Sequence, residues 1–257
     1  MQVNIGLYLS LSLQDRMPYL YDYFTVRKNV FQEMISCDGE EWLKTHSVDE
    51  SMCRNNRDLR EILLGNLTNE HKKCDVMYYA YSSPNIILGM MTVNYGKDPG
   101  YFNKIVPQIR ILCVNEYTTH IGSILIRIIQ GCSICLYLLS GIEERKSLET
   151  KIPMVNPYFS DRLFLSAVPD AIPFYEKHGF SIINYKLSGE AWMMCFTSEI
   201  MTRISSEINH FIYNRPFSYT VPYPKHLQDL LDIGVKGKKS RKNKSRKNKS
   251  RKMKMKS

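Results

Sequence analysis

Signals for export are missing from this sequence of 257 residues. No basic segment precedes the first apolar residues, so the N-terminus does not resemble a secretory signal. The cysteines number seven, and an odd count does not suit a fully paired disulfide framework. We therefore expect a reducing intracellular compartment, cytoplasmic or nuclear.

A complete set of metal ligands is missing as well. Cys132 and Cys135 form a C-x-x-C pair, but no second pair or His cluster in the sequence would complete a zinc site around them. Both residues also lie inside a helical pattern. The sequence predicts two core cysteines and no metal.

No apolar run is long enough, without interruption, to indicate a membrane span. The longest candidate, residues 121–139, contains Ser123, Arg127 and Gln130 at i, i+4 and i+7. This spacing places one polar stripe on an otherwise apolar helix. We expect a helix that is packed over most of its circumference.

Acidic and aromatic residues are absent from the last 22 residues, KGKKSRKNKSRKNKSRKMKMKS. Residues 236–257 hold 13 of the 35 basic residues, so residues 1–235 carry 22 basic against 25 acidic residues, a formal charge of −3. The tail is predicted to be disordered. Without aromatics it offers no stacking platform, so binding to nucleic acid or another polyanion would depend on phosphates and on salt. A nuclear-targeting signal, a tether to an anionic surface and a solubilising tail are the alternatives.

Two periodicities divide the first half of the chain. Apolar residues alternate from Val3 to Leu13, which predicts a strand, and they follow a helical period over residues 18–35. Residues 37–56 are acidic and loop-like, and a second helix is predicted at 58–64. Residues 75–95 contain two strand-like runs around Ser-Ser-Pro-Asn, which predicts a hairpin.

The second half continues with short strands around one long helix. The predicted elements are a strand at 108–115, the helix from about Gly122, a surface helix or excursion at 140–160, strands at 162–168, 180–187 and 191–196, and a helix at 199–211.

The stretch SAVPDAIPFYEKHGFSII, residues 166–183, reads as a strand followed by a short helix. Asp170 is predicted to cap this helix, Pro173 suits its first turn, and Gly179 suits a left-handed residue after its end. Tyr175 is thereby fixed one turn from a helix end, near the end of a strand. From there a phenol could reach a ligand lying on the sheet.

LFLSAVPDAIPFYEKHGF, residues 163–180, resembles the last motif of the GCN5-related N-acetyltransferases, and the order of predicted elements over residues 3–197 is similar to theirs. The resemblance implies an α+β fold with a mixed, mostly antiparallel sheet flanked by helices. The implied domain covers residues 1–235, with a core at about 3–197 and a C-terminal extension at 198–235.

The same resemblance implies that acetyl-CoA is a cosubstrate. The phosphate loop corresponds to residues 117–122, of which only Gly122 matches the family, and His120 stands where the family has Gly. Its side chain would narrow the approach of the phosphates or donate a hydrogen bond to them. Tyr175 would protonate the departing CoA thiolate; its alternative role is an aromatic that closes the helix end. The implied cofactor-binding residues are Leu112, Cys113, Val114, His120, Ile121, Gly122, Ser123 and Phe174.

The acceptor implied by the resemblance is a primary amine. The strand QIRILCV has no carboxylate, so the base is unassigned between Glu116, water and an amine that is already neutral. The acidic residues between Asp38 and Glu50 would favour a cationic acceptor such as a lysine, a polyamine or a free N-terminus, or they form a solvated loop. The alternative function is a catalytically degenerate binding or scaffold protein, tethered to a polyanion by its tail.

Overall fold

The computed structural model describes residues 1–37, 39–46, 65, 74–82, 86–101, 104–115, 118, 120–150 and 158–222. The helices are α1 (Ser12–Arg16), α2 (Pro18–Val26), α3 (Gly39–Thr45), α4 (Ile121–Thr150), α5 (Ile172–Lys177) and α6 (Ser205–Ile212). The strands are β1 (Gln2–Ser10), β2 (Glu33–Cys37), β3 (Val76–Ser82), β4 (Ile86–Lys97), β5 (Lys104–Val114), β6 (Tyr158–Phe159), β7 (Arg162–Ala167), β8 (Ser181–Tyr185), β9 (Ala191–Phe196) and β10 (Ser218–Thr220).

Within these residues, ten strands form one sheet. Its main order is β10-β1-β3-β4-β5-β7-β9-β8, with β2 paired to β1 and β6 paired to β5. Most neighbours are antiparallel, whereas β1 and β2, β5 and β6, and β5 and β7 run parallel. The predicted fold class, a mixed and mostly antiparallel sheet with flanking helices, is confirmed.

The sheet separates two hydrophobic cores because successive side chains of a strand point to opposite faces. On β3, Val76 and Tyr78 belong to the larger core, which also contains the buried faces of α2, α4 and α6. Met77 and Tyr79 belong to the smaller core, where Trp42 of α3 is fully buried. Helices therefore cover both faces of the sheet.

The long helix α4 lies across the larger core. Its segment Ile121–Glu143 has the length and composition of a membrane span, yet 67% of that stretch is buried inside the fold. Cys132 and Cys135 are core residues, as predicted. Burial raises the pKa of the Cys132 thiol to about 11 and that of Cys135 to about 12.

The prediction of one helix over residues 18–35 is wrong beyond Val26. The chain turns through Lys28–Val30 into β2, which pairs with the edge of β1. Gln32 fixes this path. Its backbone amide donates to the Ile5 carbonyl (3.0 Å), and its side-chain oxygen accepts from the Ile5 backbone amide (2.8 Å). Phe31 still enters the core, but it does so from extended backbone.

Other predicted boundaries also shift. The first strand ends at Ser10, and Leu13 reaches the core from α1. The segment predicted as an acidic loop contains α3, which Trp42 anchors. Asp170 lies in a 3-10 turn and makes no capping bond, since Ala171 occupies the N-cap position of α5. The last helix begins at Ser205 rather than near 199. The predicted helix at 58–64 and the tail lie outside the described residues.

Candidate active site

Two neighbouring parallel strands, β5 and β7, pair over a very short length. Gln108 is opposite Phe164 and Ile109 is opposite Leu165, and the described residues show no further pairing between these strands. Among the described strands, β4 is the one that pairs with residues 112–114, on the side away from β7. A cavity of about 340 Å³ opens between β5, β7 and the first turn of α5.

A second cavity, of about 290 Å³, lies beside the start of α4. Its lining includes Val114, His120, Gly122, Ser123 and Phe174. The two cavities share three lining residues, Leu112, Ala171 and Tyr175. They meet where β5 and β7 part, and Tyr175 stands at their junction.

The second cavity ends at backbone donors. Ile124 makes the first hydrogen bond of α4, to the His120 carbonyl at 2.9 Å, so the three preceding amides have no partner within the helix. They also lie at the positive end of the helix dipole. His120 is exposed and adopts a left-handed backbone, with φ +73°. A Cβ on Gly122 would lie 3.3 Å from Phe174, so glycine keeps this surface open.

Tyr175 is 8% exposed, and its ring packs between those of Phe174 and Phe180. The described residues offer its hydroxyl no hydrogen-bond partner, although Tyr175 lines both cavities. Burial raises the pKa of the phenol to about 12. The hydroxyl is therefore protonated at neutral pH and can donate a proton.

The helix that carries Tyr175 is fixed to α4 by the polar stripe of that helix. Gln130 donates to the His178 carbonyl (2.7 Å), and the His178 Nε2 atom lies 3.0 Å from Ser123 Oγ. Burial, Lys177 and Arg127 lower the pKa of His178, which favours a neutral ring. Gly179 then turns the chain with φ +84°, the left-handed residue that the sequence predicts.

The first cavity also has a charged wall, which the sequence analysis missed. It includes Arg110, Lys186, Glu190 and Trp192. Both Lys186 Nζ and Ser166 Oγ lie 2.8 Å from Glu190 Oε2, and these two hydrogen bonds lower the pKa of Glu190. The signal for Arg110 was present in the sequence, because it is the one charged residue in the strand QIRILCV.

The structure brings most of the predicted site residues to these two cavities. Two predicted residues line neither cavity: the Cys113 side chain packs in the smaller core, and Ile121 is fully buried in the larger one. For Cys113, the resemblance implies a contact through the backbone and not through the side chain. Residues 116–117 and 119, which include the candidate base Glu116, lie outside the described residues.

No family model and no curated protein matches this sequence. The chain is similar to several solved structures. Arabidopsis thaliana Naa50 in complex with the bisubstrate analogue CoA-Ac-MVNAL is 19% identical, with 46% of this chain and 70% of that chain covered and a TM-score of 0.27. Escherichia coli ElaA is 14% identical, with 51% and 75% covered and a TM-score of 0.29. A mutant AtaT toxin bound to the C-terminus of the antitoxin AtaR and acetyl-CoA is 15% identical, with 63% and 90% covered and a TM-score of 0.34.

Proposed function

We propose that this chain is an N-acetyltransferase that moves the acetyl group of acetyl-CoA to an amine within a ternary complex. One observation carries the proposal: a buried, protonated tyrosine stands where two cavities meet. One cavity ends at the backbone donors of α4, and the other ends at charged side chains. A transferase that binds both substrates at once needs two such compartments, joined at the reacting atoms.

The residues present fit acetyl-CoA as the first substrate. The amides at the start of α4 that have no partner within the helix suit a pyrophosphate, because they combine hydrogen-bond donors with the positive end of the helix dipole. The edge of β5 at Leu112 and Val114 lines the second cavity, and no described strand pairs with it on the side away from β4, so the pantetheine arm can add to it as an extended strand would. This arrangement directs the thioester towards Tyr175.

Tyr175 then acts as the general acid. The neutral amine attacks the carbonyl carbon of the thioester, a carbon–nitrogen bond forms, and the carbon–sulfur bond breaks. The sulfur leaves with the electron pair of that bond and takes the proton of the Tyr175 hydroxyl. The amine gives up its extra proton to water, and water restores the proton of the phenol. The pKa of about 12 keeps Tyr175 in the acid form that this step requires.

Substitution of Tyr175 by Phe tests this role. We expect Tyr175→Phe to bind acetyl-CoA with unchanged affinity by calorimetry, and to lower kcat by about 10²-fold or more. Because the pKa of Tyr175 is raised to about 12, the wild-type kcat should show no loss from its ionisation below about pH 10. Tyr95→Phe is the matched control, since Tyr95 is a buried tyrosine in the same core that lines neither cavity.

Two results would count against the proposal in different ways. An unchanged kcat in Tyr175→Phe would remove Tyr175 from the mechanism but leave the transferase. If calorimetry detects no binding of acetyl-CoA or desulfo-CoA to the wild-type protein, the transferase function is ruled out and the binding or scaffold function is favoured.

A further inference from the structure

A β-bulge places one arginine at the first cavity. Thr92 of β4 pairs with Ile111, while the next residue, Val93, pairs with Ile109, so Arg110 is the extra residue on β5. Bulges redirect side chains and are common beside active sites. Arg110 is exposed and lines the cavity, and it makes no hydrogen bond or ion pair with any described residue. A guanidinium is therefore available to a ligand.

Glu190 is the one carboxylate among the described residues of this wall, and one of its two oxygens makes no hydrogen bond to them. Both hydrogen bonds to Glu190 reach its Oε2 atom, so Oε1 accepts no hydrogen bond from the part of the chain that the structure describes. The low pKa of the carboxyl group keeps it ionised at neutral pH. Glu190 Oε1 is thus able to accept a hydrogen bond from an ammonium group.

The balance of charge on this wall argues against a purely cationic acceptor. Lys186 already neutralises Glu190, and Arg110 adds a positive charge. A polyamine would meet a net positive charge on the described part of this wall, whereas a ligand with both an amine and an anion would find a partner for each group. A guanidinium also binds carboxylate and phosphate groups through two parallel hydrogen bonds.

We propose that the acceptor is an amine that carries an anionic group, carboxylate or phosphate, with Arg110 binding the anion and Glu190 holding the amino group. This inference rests on the proposed function and names its substrate class. It differs from the cationic acceptor expected from residues 38–50, of which Asp38 and residues 47–50 lie outside the described residues. Arg110 sets specificity in this scheme and takes no part in bond breaking.

Matched pairs of acceptors test the proposal. Phenylalanine is compared with 2-phenylethylamine for the carboxylate, and O-phosphoethanolamine with ethanolamine for the phosphate. We expect kcat/KM with acetyl-CoA to favour the anionic member of at least one pair by about 10- to 100-fold, the range of a hydrogen bond to a charged group. The pair that shows the preference identifies the anion.

The variant Arg110→Gln should abolish this preference by lowering kcat/KM for the anionic member alone, with the affinity for acetyl-CoA unchanged. Arg203→Gln, an exposed arginine outside both cavities, is the matched control and should keep the preference. Equal kcat/KM within both pairs, or a preference that survives in Arg110→Gln, would overturn this inference while acetyl-CoA binding persists. Failure of the wild type to bind acetyl-CoA would instead overturn the proposed function, and this inference with it.

Discussion

At the scale of single residues, His120 combines an unfavourable backbone with a position at the end of the site where we propose that the phosphates bind. Its φ of +73° lies in the left-handed region, where a side chain costs about 1 kcal/mol or more and glycine costs little. The family that the sequence resembles has Gly at the corresponding position. His120 is also exposed and lines the second cavity, so its side chain is placed either to narrow the approach to the amides of α4 or to donate a hydrogen bond to a ligand there.

The variant His120→Gly should therefore bind acetyl-CoA more tightly, by up to about 10-fold, because the backbone can approach the phosphates more closely. The free energy of unfolding should change by less than about 1 kcal/mol, since relief of the strained backbone offsets the greater freedom of glycine in the unfolded chain. Calorimetry and urea unfolding measure the two quantities. His120→Ala is the control, because it removes the imidazole but keeps the Cβ. Weaker binding in both variants would show instead that the imidazole donates to the phosphates.

The residues of the site could be predicted to different extents. Tyr175 was found because a short helix with Pro near its start and Gly after its end leaves a strong local pattern. Arg110 is visible in the sequence as the one charged residue of QIRILCV, but its place at the cavity depends on a bulge, and that of Glu190 depends on a contact with another strand; neither feature is encoded in local spacing. Cys113 and Ile121 were assigned from the resemblance, Cys113 through its backbone groups, and alternation along β5 and the buried face of α4 direct their side chains into the two cores.

At the scale of elements, the contact between α4 and α6 depends on one glycine. A Cβ at Gly131 would lie 2.9 Å from Glu207 Cβ and 3.3 Å from the Glu207 carbonyl carbon. This close approach allows Arg127 of α4 to pair with Glu207, which is 1% exposed. A methyl group at position 131 would force the two helices apart and strain an ion pair whose carboxylate is buried.

The variant Gly131→Ala should lower the free energy of unfolding by about 1–3 kcal/mol, the usual cost of overpacking. Gly141→Ala on the same helix is the matched control, because nothing lies within 4 Å of its added Cβ. There the higher helix propensity of alanine should raise stability by about 0.5–1 kcal/mol. Urea unfolding of both variants measures whether the free energy of unfolding falls or rises in each. Equal changes would mean that helix propensity, and not the contact with α6, controls position 131.

Helices and strands could be predicted where one periodicity continued, and the prediction was wrong where the periodicity changed. The strands of the 75–95 hairpin and the helix from Gly122 were found from uniform patterns, and both are confirmed. The helix over residues 18–35 was overextended because Phe31, Met34 and Ile35 also suit a helical face. Pairing with the edge of β1 decided the conformation of this segment, and such long-range hydrogen bonds cannot be read from spacing alone.

At the scale of the whole molecule, charge is divided between a nearly neutral domain and a strongly basic tail. Residues 236–257 contain 13 basic residues and no acidic residue, whereas residues 1–235 have a formal charge of −3. Because these basic side chains come without aromatics, their attraction to a polyanion should depend on the number of charges and not on their order. The tail would then deliver the domain to a polyanion independently of the proposed acetyl transfer.

Removal of residues 236–257 should abolish binding to mixed-sequence duplex DNA in fluorescence anisotropy, while acetyl-CoA affinity stays the same. For the full chain, affinity should fall by about 10³-fold or more between 50 and 200 mM salt if at least six phosphates are contacted. A chain whose tail has the same composition in shuffled order should bind as the wild type does. Loss of binding on shuffling would indicate a sequence motif that is read by a specific partner. Binding that survives the deletion would place the polyanion site on the folded domain, where the free Arg110 and the amides of α4 would be the first groups to test.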